Sequence, residues 1–336
     1  MMSRVGACVL VFLAMISQGM AVWAGTSRVM CVYDPVGANG PVYNQMRDYS
    51  AAALDWGVTF DLKPYTEERI AAEDFKAGRC DAVLLTSFKS REFNAFTGSL
   101  DAIGALPTYK HLKTVFQTLA SPKASRLMVQ GDVEIAGLFP AGAAFLFVNN
   151  REIDSVPELS GKRIGVLDTD PSQREMAVRV GASPVSSGIA RVYSKFNNGV
   201  VDVVAGPAVL YESMELNKGL APQGGIIDFP LAQLSLQLVI RQDRFEETFG
   251  QNSRVFGFQE FDRMLGILRA SEDKIPTKWW IEIPSEDKTG YIEMMRQARL
   301  SLRDKAIYNA KTLTLMRKVR CRLEPGRAEC TAVDKE

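Results

Sequence analysis

Histidine is almost absent from this chain, with His111 the single one in 336 residues. One histidine and no paired C-x-x-C motif leave little from which to build a zinc site. A basic excess is missing too: 40 Lys and Arg face 39 Asp and Glu, a formal charge of +1. The charges are mixed along the sequence, so the cationic surface that nucleic acid demands is not there. There is no G-x-S-x-G elbow, no H-E-x-x-H and no G-K-[ST] phosphate loop. Carboxylates are plentiful, but none are paired in a suggestive setting. The expectation is therefore a protein that is not an enzyme, with no cofactor and no metal. His111, followed by Leu112 and Lys113 on an expected helix, reads as structural. Past the first 24 residues no apolar run is long enough to cross a bilayer.

What the chain does have begins with an export signal. Arg4 supplies the positive start, Val9 to Ile16 is a short apolar stretch, and Val22-Trp23-Ala24 suits a signal peptidase. Cleavage is expected after Ala24, with Ala21 the alternative. Val5-Gly6-Ala7-Cys8 resembles a lipobox but precedes the apolar run, which argues against lipid attachment. Four cysteines remain after processing: Cys31, Cys80, Cys321 and Cys330. An even number in an exported chain argues for two disulfides. Cys321 and Cys330 bracket a turn-like Leu323-Glu-Pro-Gly326, and Cys31 and Cys80 fall on strands expected to be neighbours. Spacing alone does not fix that pairing.

A short pattern occurs twice. Phe75-Lys-Ala-Gly78-Arg-Cys-Asp81-Ala-Val83 returns as Phe196-Asn-Asn-Gly199-Val-Val-Asp202-Val-Val204. Each copy is the end of an amphipathic helix, a glycine stop and an aspartate leading into an apolar strand. Copies so far apart suggest two lobes of similar build, although a common helix-stop device is the alternative. Strands are expected at Val29–Tyr33, Val58–Leu62 and Ala82–Leu85, with helices at Val42–Asp55 and Glu67–Ala77. The order returns with a strand at Arg163–Leu167 and a helix opened by Asp170-Pro171-Ser172-Gln173. A loop through Pro184, a helix at Gly188–Asn197 and a strand at Val200–Val204 follow. Both halves read as βαβαβ, α/β units on parallel strands. Ala143–Asn149 and Leu234–Ile240 are expected to cross between lobes as a hinge. Helices are expected near Gln259–Ala270, Thr289–Leu302 and Lys311–Val319. Arg296, Arg299, Arg303, Arg317, Lys318 and Arg320 read as solvated helix faces.

These residues carry a resemblance. Pro157-Glu-Leu159-Ser-Gly161-Lys162-Arg-Ile164-Gly-Val166, Val180-Gly181-Ala182-Ser-Pro184-Val185, Val192-Tyr193, Gly199-Val200-Val201-Asp202 and Pro207 fall in order and spacing. They resemble the second lobe of TRAP-type (DctP-like) periplasmic solute-binding proteins. Lys195-Phe-Asn-Asn-Gly199, Gln251-Asn-Ser-Arg254 and Val319-Arg-Cys321…Glu329-Cys330 are similar to a solute-binding branch sometimes labelled AdeT or RND-efflux-associated. No heptad hairpin or membrane helix supports an efflux adaptor or pump. The resemblance implies a two-lobed α/β binding-protein fold with a helical C-terminal region. The expected boundaries are a signal over 1–24, a first lobe over 25–138 with parts of 242–336, a second lobe over 139–241, and helices over 242–336 across both. It implies a monomer in the periplasm that captures a small polar or anionic solute and hands it to a membrane permease. The alternative is a ligand-sensing or protein-interaction role on the same fold. Where the family holds a ligand carboxylate with arginine, this chain has Gly165, and Arg163 is no safe substitute.

Ligands of two-lobed α/β proteins lie beyond the carboxyl ends of the strands. The first lobe then offers Tyr33, Asp34, Asn39, Gly40, Thr86, Ser87 and Phe88. The second offers Asp168, Thr169, Ser172, Gly206, Pro207 and Tyr211, with Asp170 read as a helix cap. The Gly37–Gly40 loop ahead of a helix reads equally as an anion cradle or an ordinary glycine turn. Phe139, Pro140, Phe145 and Phe147 near the first crossing read as packing rather than cleft lining, and Tyr193 and Phe196 as core.

Overall fold

The computed structural model describes residues 26–331 and Glu336; the expected export signal lies outside the described residues. The first lobe starts with β1 (Thr26–Tyr33), β2 (Val58–Tyr65) and β3 (Ala82–Thr86). β2 and β3 flank β1 in parallel, in the order β2-β1-β3. The helices Pro41–Ala53 and Glu68–Lys76 make the crossovers. After the two-residue β4 (Val129–Gln130) comes β5 (Val133–Val148), sixteen residues long. The second lobe holds β6 (Arg163–Leu167), β7 (Ser183–Ser187) and β8 (Val203–Pro207), with β6 parallel to both others. Then follow β9 (Gly225–Ile227), β10 (Ala232–Arg241) and β11 (Trp280–Ile281). The principal sheet order is β2-β1-β3-β10-β5-β8-β6-β7.

β5 and β10 join the lobes. β10 pairs antiparallel with β3 and with β5, and the far end of β5, Ala144–Val148, pairs antiparallel with β8. Both crossings were legible as apolar runs, and both are longer than those runs. The expected boundary after residue 138 falls inside β5, so one strand belongs to both lobes. At the passage Gly142 takes φ +99, a conformation that L side chains rarely adopt.

The repeated pattern has one geometry in both lobes. Gly78 (φ +75) and Gly199 (φ +69) end their helices left-handed. Asp81 accepts from the Val29 N–H at 2.8 Å, and Asp202 accepts from the Arg163 N–H at 2.9 Å. Each aspartate thus ties the start of the lobe's third element to its first strand. Both disulfides form, Cys31–Cys80 between β1 and the entry to its neighbour β3 and Cys321–Cys330 across the turn they bracket.

Three expectations need correction. Ser183–Ser187, read as a loop, is the strand β7; it is an edge strand with polar residues, so it shows no apolar alternation. The last strand of the second lobe starts at Val203 rather than Val200, because Val200 and Val201 donate to Lys195 O and complete the helix stop. Arg299 and Arg320 are not solvated. They are 2% and 0% exposed, and Glu329 and Glu336 neutralise them. Helices at Phe249–Gln259, Phe261–Glu272, Ser285–Asp304 and Ala310–Leu323 make up the C-terminal region. They contribute to core clusters of both lobes, with Leu313 and Met316 in the first and Tyr291 in the second.

Candidate functional site

A cleft of about 910 Å³ opens between the lobes beyond the carboxyl ends of β1, β3, β6 and β8. Its walls are mainly apolar: Pro140, Leu167, Ile189, Pro207, Leu210, Leu234, Leu236 and Leu268 all face it. A smaller cavity of about 120 Å³ shares Phe88, Asp101, Gln173 and Leu234 with it. Met176 and Ile189 of the second lobe pack on the first-lobe core, so the lobes touch beside the cleft. Arg91 of the first lobe donates to Asp170 of the second at 3.0 Å and to Gly98 O.

Of the residues expected from sequence, Tyr33, Asp34, Thr86, Phe88, Gly206 and Pro207 line the cleft. Asp34 is fully buried there and accepts from the N–H groups of Val36 at 2.8 Å and Tyr43 at 3.0 Å. This overturns the anion cradle, because the chain's own carboxylate fills the helix N-terminus. A side chain at Gly40 would collide with that carboxylate, which explains the glycine. Gly40 and Asn39 do not line the cleft, and Asn39 points to solvent. Ser87 is buried beneath the floor, beside Asp101 but without a complete hydrogen bond. Ser172 lines only the smaller cavity and donates to Asp170 at 2.7 Å. Asp170 is thus both a helix cap and half of the interlobe ion pair. Asp168 is exposed and Thr169 lies off the cleft. Tyr211 is in the second-lobe core with Trp279, since the turn after β8 directs it inward.

Sequence reasoning missed several residues. Asp101 is 4% exposed, lines both cavities and accepts from the Ser235 N–H (2.9 Å) and hydroxyl (2.7 Å). Burial pushes its pKa up to about 6. Nearby, Glu68 accepts from the Thr86 N–H at 2.7 Å, and burial raises its pKa to about 7. Tyr33 is raised as well, by burial first and then by Glu68. No motif surrounds Asp101; only the approach of β10 makes it a floor residue. Tyr193 was read as core, and it is buried, yet its ring also lines the cleft. The glycine at 206 follows from it, because a side chain there would strike the Tyr193 hydroxyl. Pro140 lines the cleft too, whereas Phe139 and Phe147 are fully buried and Phe145 meets Trp280 edge to face, with ring centroids 5.2 Å apart.

The arginine question also has a geometric answer. A Cβ at Gly165 would sit 2.6 Å from Val192 Cγ2, so the helix Ile189–Asn197 leaves no room for a guanidinium stem. Arg163 is bound to Asp202 at 2.7 Å and to Gly199 O, at the opposite end of β6 from the cleft. His111, as expected, is structural: it is buried, bonded to Thr108 at 2.8 Å, and its pKa is lowered by burial. Among the described residues no group of three or more His, Cys, Asp or Glu is placed to hold a metal ion, and no helix is long and apolar enough to cross a membrane.

Residues 50–335 match the family model described as "Solute-binding protein AdeT 1/2". The chain belongs to that family. Over 303 residues it is 41% identical to "Probable solute-binding protein AdeT1" of Acinetobacter baumannii, covering 90% of this chain and all of that one. Solved structures share the fold at lower identity. A TRAP periplasmic solute-binding protein from Haemophilus influenzae, with bound L-gulonate, aligns with a TM-score of 0.72 at 12% identity, over 87% of this chain and 99% of that one. The ectoine-binding protein of the TeaABC TRAP transporter of Halomonas elongata gives 0.71 at 14% identity, over 89% and 100%. The Gln251–Arg254 and Glu329 segments, on which the sequence resemblance to the AdeT branch partly rests, are scaffold. Gln251 donates to Ala120 O, Ser253 bonds with the Tyr49 hydroxyl, Arg254 pairs with Glu134, and Glu329 with Arg320.

Proposed function

We propose that this AdeT-family protein captures a small organic solute in the interlobe cleft and delivers it to a membrane permease. The observation that supports this most directly is the cleft itself, a space of ligand size whose walls come from two lobes joined by continuous strands. Closure of such lobes around a bridging ligand is a hinge motion, and the ends of β5 and β10 are its natural pivot. The Arg91–Asp170 pair holds the closed arrangement, which a permease would recognise. We place the protein in the periplasm as a monomer, cleaved after Ala24; two disulfides suit that oxidising compartment. The role we propose is binding rather than catalysis, in keeping with the solute-binding family to which the chain belongs.

Native mass spectrometry of protein freshly purified from the periplasm tests the capture step, together with small-angle scattering before and after ligand is stripped. A co-purified small molecule whose removal expands the protein is the expected result. A protein that carries nothing and keeps its dimensions with every metabolite tried would sink solute capture and favour the sensing or protein-interaction alternative.

A further inference from the structure

The cleft's charges are arranged in an unusual way. Its arginines, Arg47 and Arg263, are both exposed at the mouth, and Arg263 is already engaged with Asp48 and Glu260. Deep inside, the buried ionisable residues on the wall with a full charge to offer are acids, Asp34 and Asp101. Asp34 is consumed by the helix N-terminus. Asp101 is not: Ser235 takes two of the roughly four lone-pair positions of a carboxylate. Arg91 does not line the cleft: Asp170, Gly98 O and the face of Tyr308 hold it, its Nη2 is buried without a hydrogen-bond partner, and its charge partly offsets that of Asp101 without overcoming the effect of burial. At Gly165 an arginine has no space.

A carboxylate ligand deep in this cleft would be desolvated among leucines and prolines with no cation on the deep wall to receive it, and next to an acid. A cation would meet the reverse situation. Its positive head would stabilise the ionised form of Asp101, which burial alone disfavours. Its body would lie on an apolar wall with the Tyr33, Phe88 and Tyr193 rings nearby, whose faces also attract cations.

We infer that the solute is an organic cation, an amine or quaternary ammonium with an apolar body, whose head sits at Asp101 and whose body lies between Leu234, Leu236, Ile189 and Leu268. This inference rests on the solute-capture reading above and narrows its ligand class.

The test is a thermal-shift and calorimetry panel on the exported protein, stripped of carried ligand. The probes are alkyl and aryl amines, each matched to the carboxylate of the same skeleton, with 3-phenylpropylamine against 3-phenylpropanoate as the first pair. Amines should raise the melting temperature by several degrees at about a hundredfold excess over their dissociation constant, and carboxylates should leave it unchanged. Asp101→Asn should weaken the amines about tenfold or more. Leu234→Lys, which leaves Asp101 in place and puts an ammonium of the chain's own in the cleft, should also abolish the amine shift. It carries the test if Asp101→Asn does not fold. Carboxylates that bind while amines do not would overturn the cationic class and leave solute capture standing. Silence of both classes would likewise overturn the cationic class, while capture itself stands or falls on the co-purified solute sought above. Amine binding indifferent to both substitutions would remove Asp101 from the site.

Discussion

In the first lobe Gly78 stops a helix and Asp81 reaches back to the Val29 N–H; in the second, Gly199 and Asp202 do the same toward Arg163. Two residues further along each first strand the lobes part. Cys31 is bonded to Cys80, whereas the corresponding Gly165 and Val201 carry no bond. The second lobe instead closes its device electrostatically, with the Arg163 side chain on Asp202 and Gly199 O. One backbone solution to ending a helix and starting a strand thus tolerates a covalent or an ionic lock. The acids follow the same division. In the first-lobe acids Glu68 and Asp101 burial outweighs the nearby charges of Lys89 and Arg91, and the second-lobe acid Asp202 is partnered and held at a pKa of about 2.

The largest effect should come from removing the covalent lock. The Cys31–Cys80 bridge closes a 49-residue separation, and the Cys31→Ser/Cys80→Ser protein should lose about 4 kcal/mol in urea unfolding. If the loss is under about 1 kcal/mol, the bridge is not what secures the first lobe. The next contrast is in pH. Glu68 and Asp101 have folded pKa values above their unfolded ones, so the folded state binds more protons and stability rises as pH falls from about 7.5 to 5. Asp202, with its pKa depressed, adds stability above about pH 4 that is lost as pH falls toward 2. The gain between pH 7.5 and 5 should be about 3 kcal/mol, set partly against His111, which burial keeps neutral. Denaturant melts of the wild type and of Glu68→Gln/Asp101→Asn read this directly: the double variant should lose the upper slope and keep the acid one. An unchanged upper slope would assign it elsewhere. The smallest effect is at the point where the lobes differ. Gly165→Ala forces Val192 aside and should cost about 2 kcal/mol; a neutral result would mean the second lobe has room for a larger side chain there.

The legible parts of this fold were those with a short-range signature. Amphipathic helices ending in glycine, apolar strands and cysteines on neighbouring strands all announce themselves within a few residues. β7 did not, because Ser183, Ser186 and Ser187 on a sheet edge satisfy their backbone in a parallel ladder without needing apolar alternation. The site divides in the same way. Tyr33, Thr86, Phe88, Gly206 and Pro207 follow from the rule that loops beyond strand ends face the cleft. Tyr211 breaks the rule, because the turn after β8 points it back into the core beside Trp279.

By itself the sequence determined two α/β lobes, their twin helix stops, two disulfides and membership in a solute-binding branch, since each rests on residues close together or on strands of predictable order. The tertiary structure alone decided that the Asp34 carboxylate, although on the cleft wall, is taken up by the N–H groups of Val36 and Tyr43. It also brought Asp101 to the cleft floor and buried Arg299 and Arg320 against Glu329 and Glu336. Those outcomes depend on partners far apart in the chain, and a side chain's charge acquires its meaning only from what burial leaves beside it.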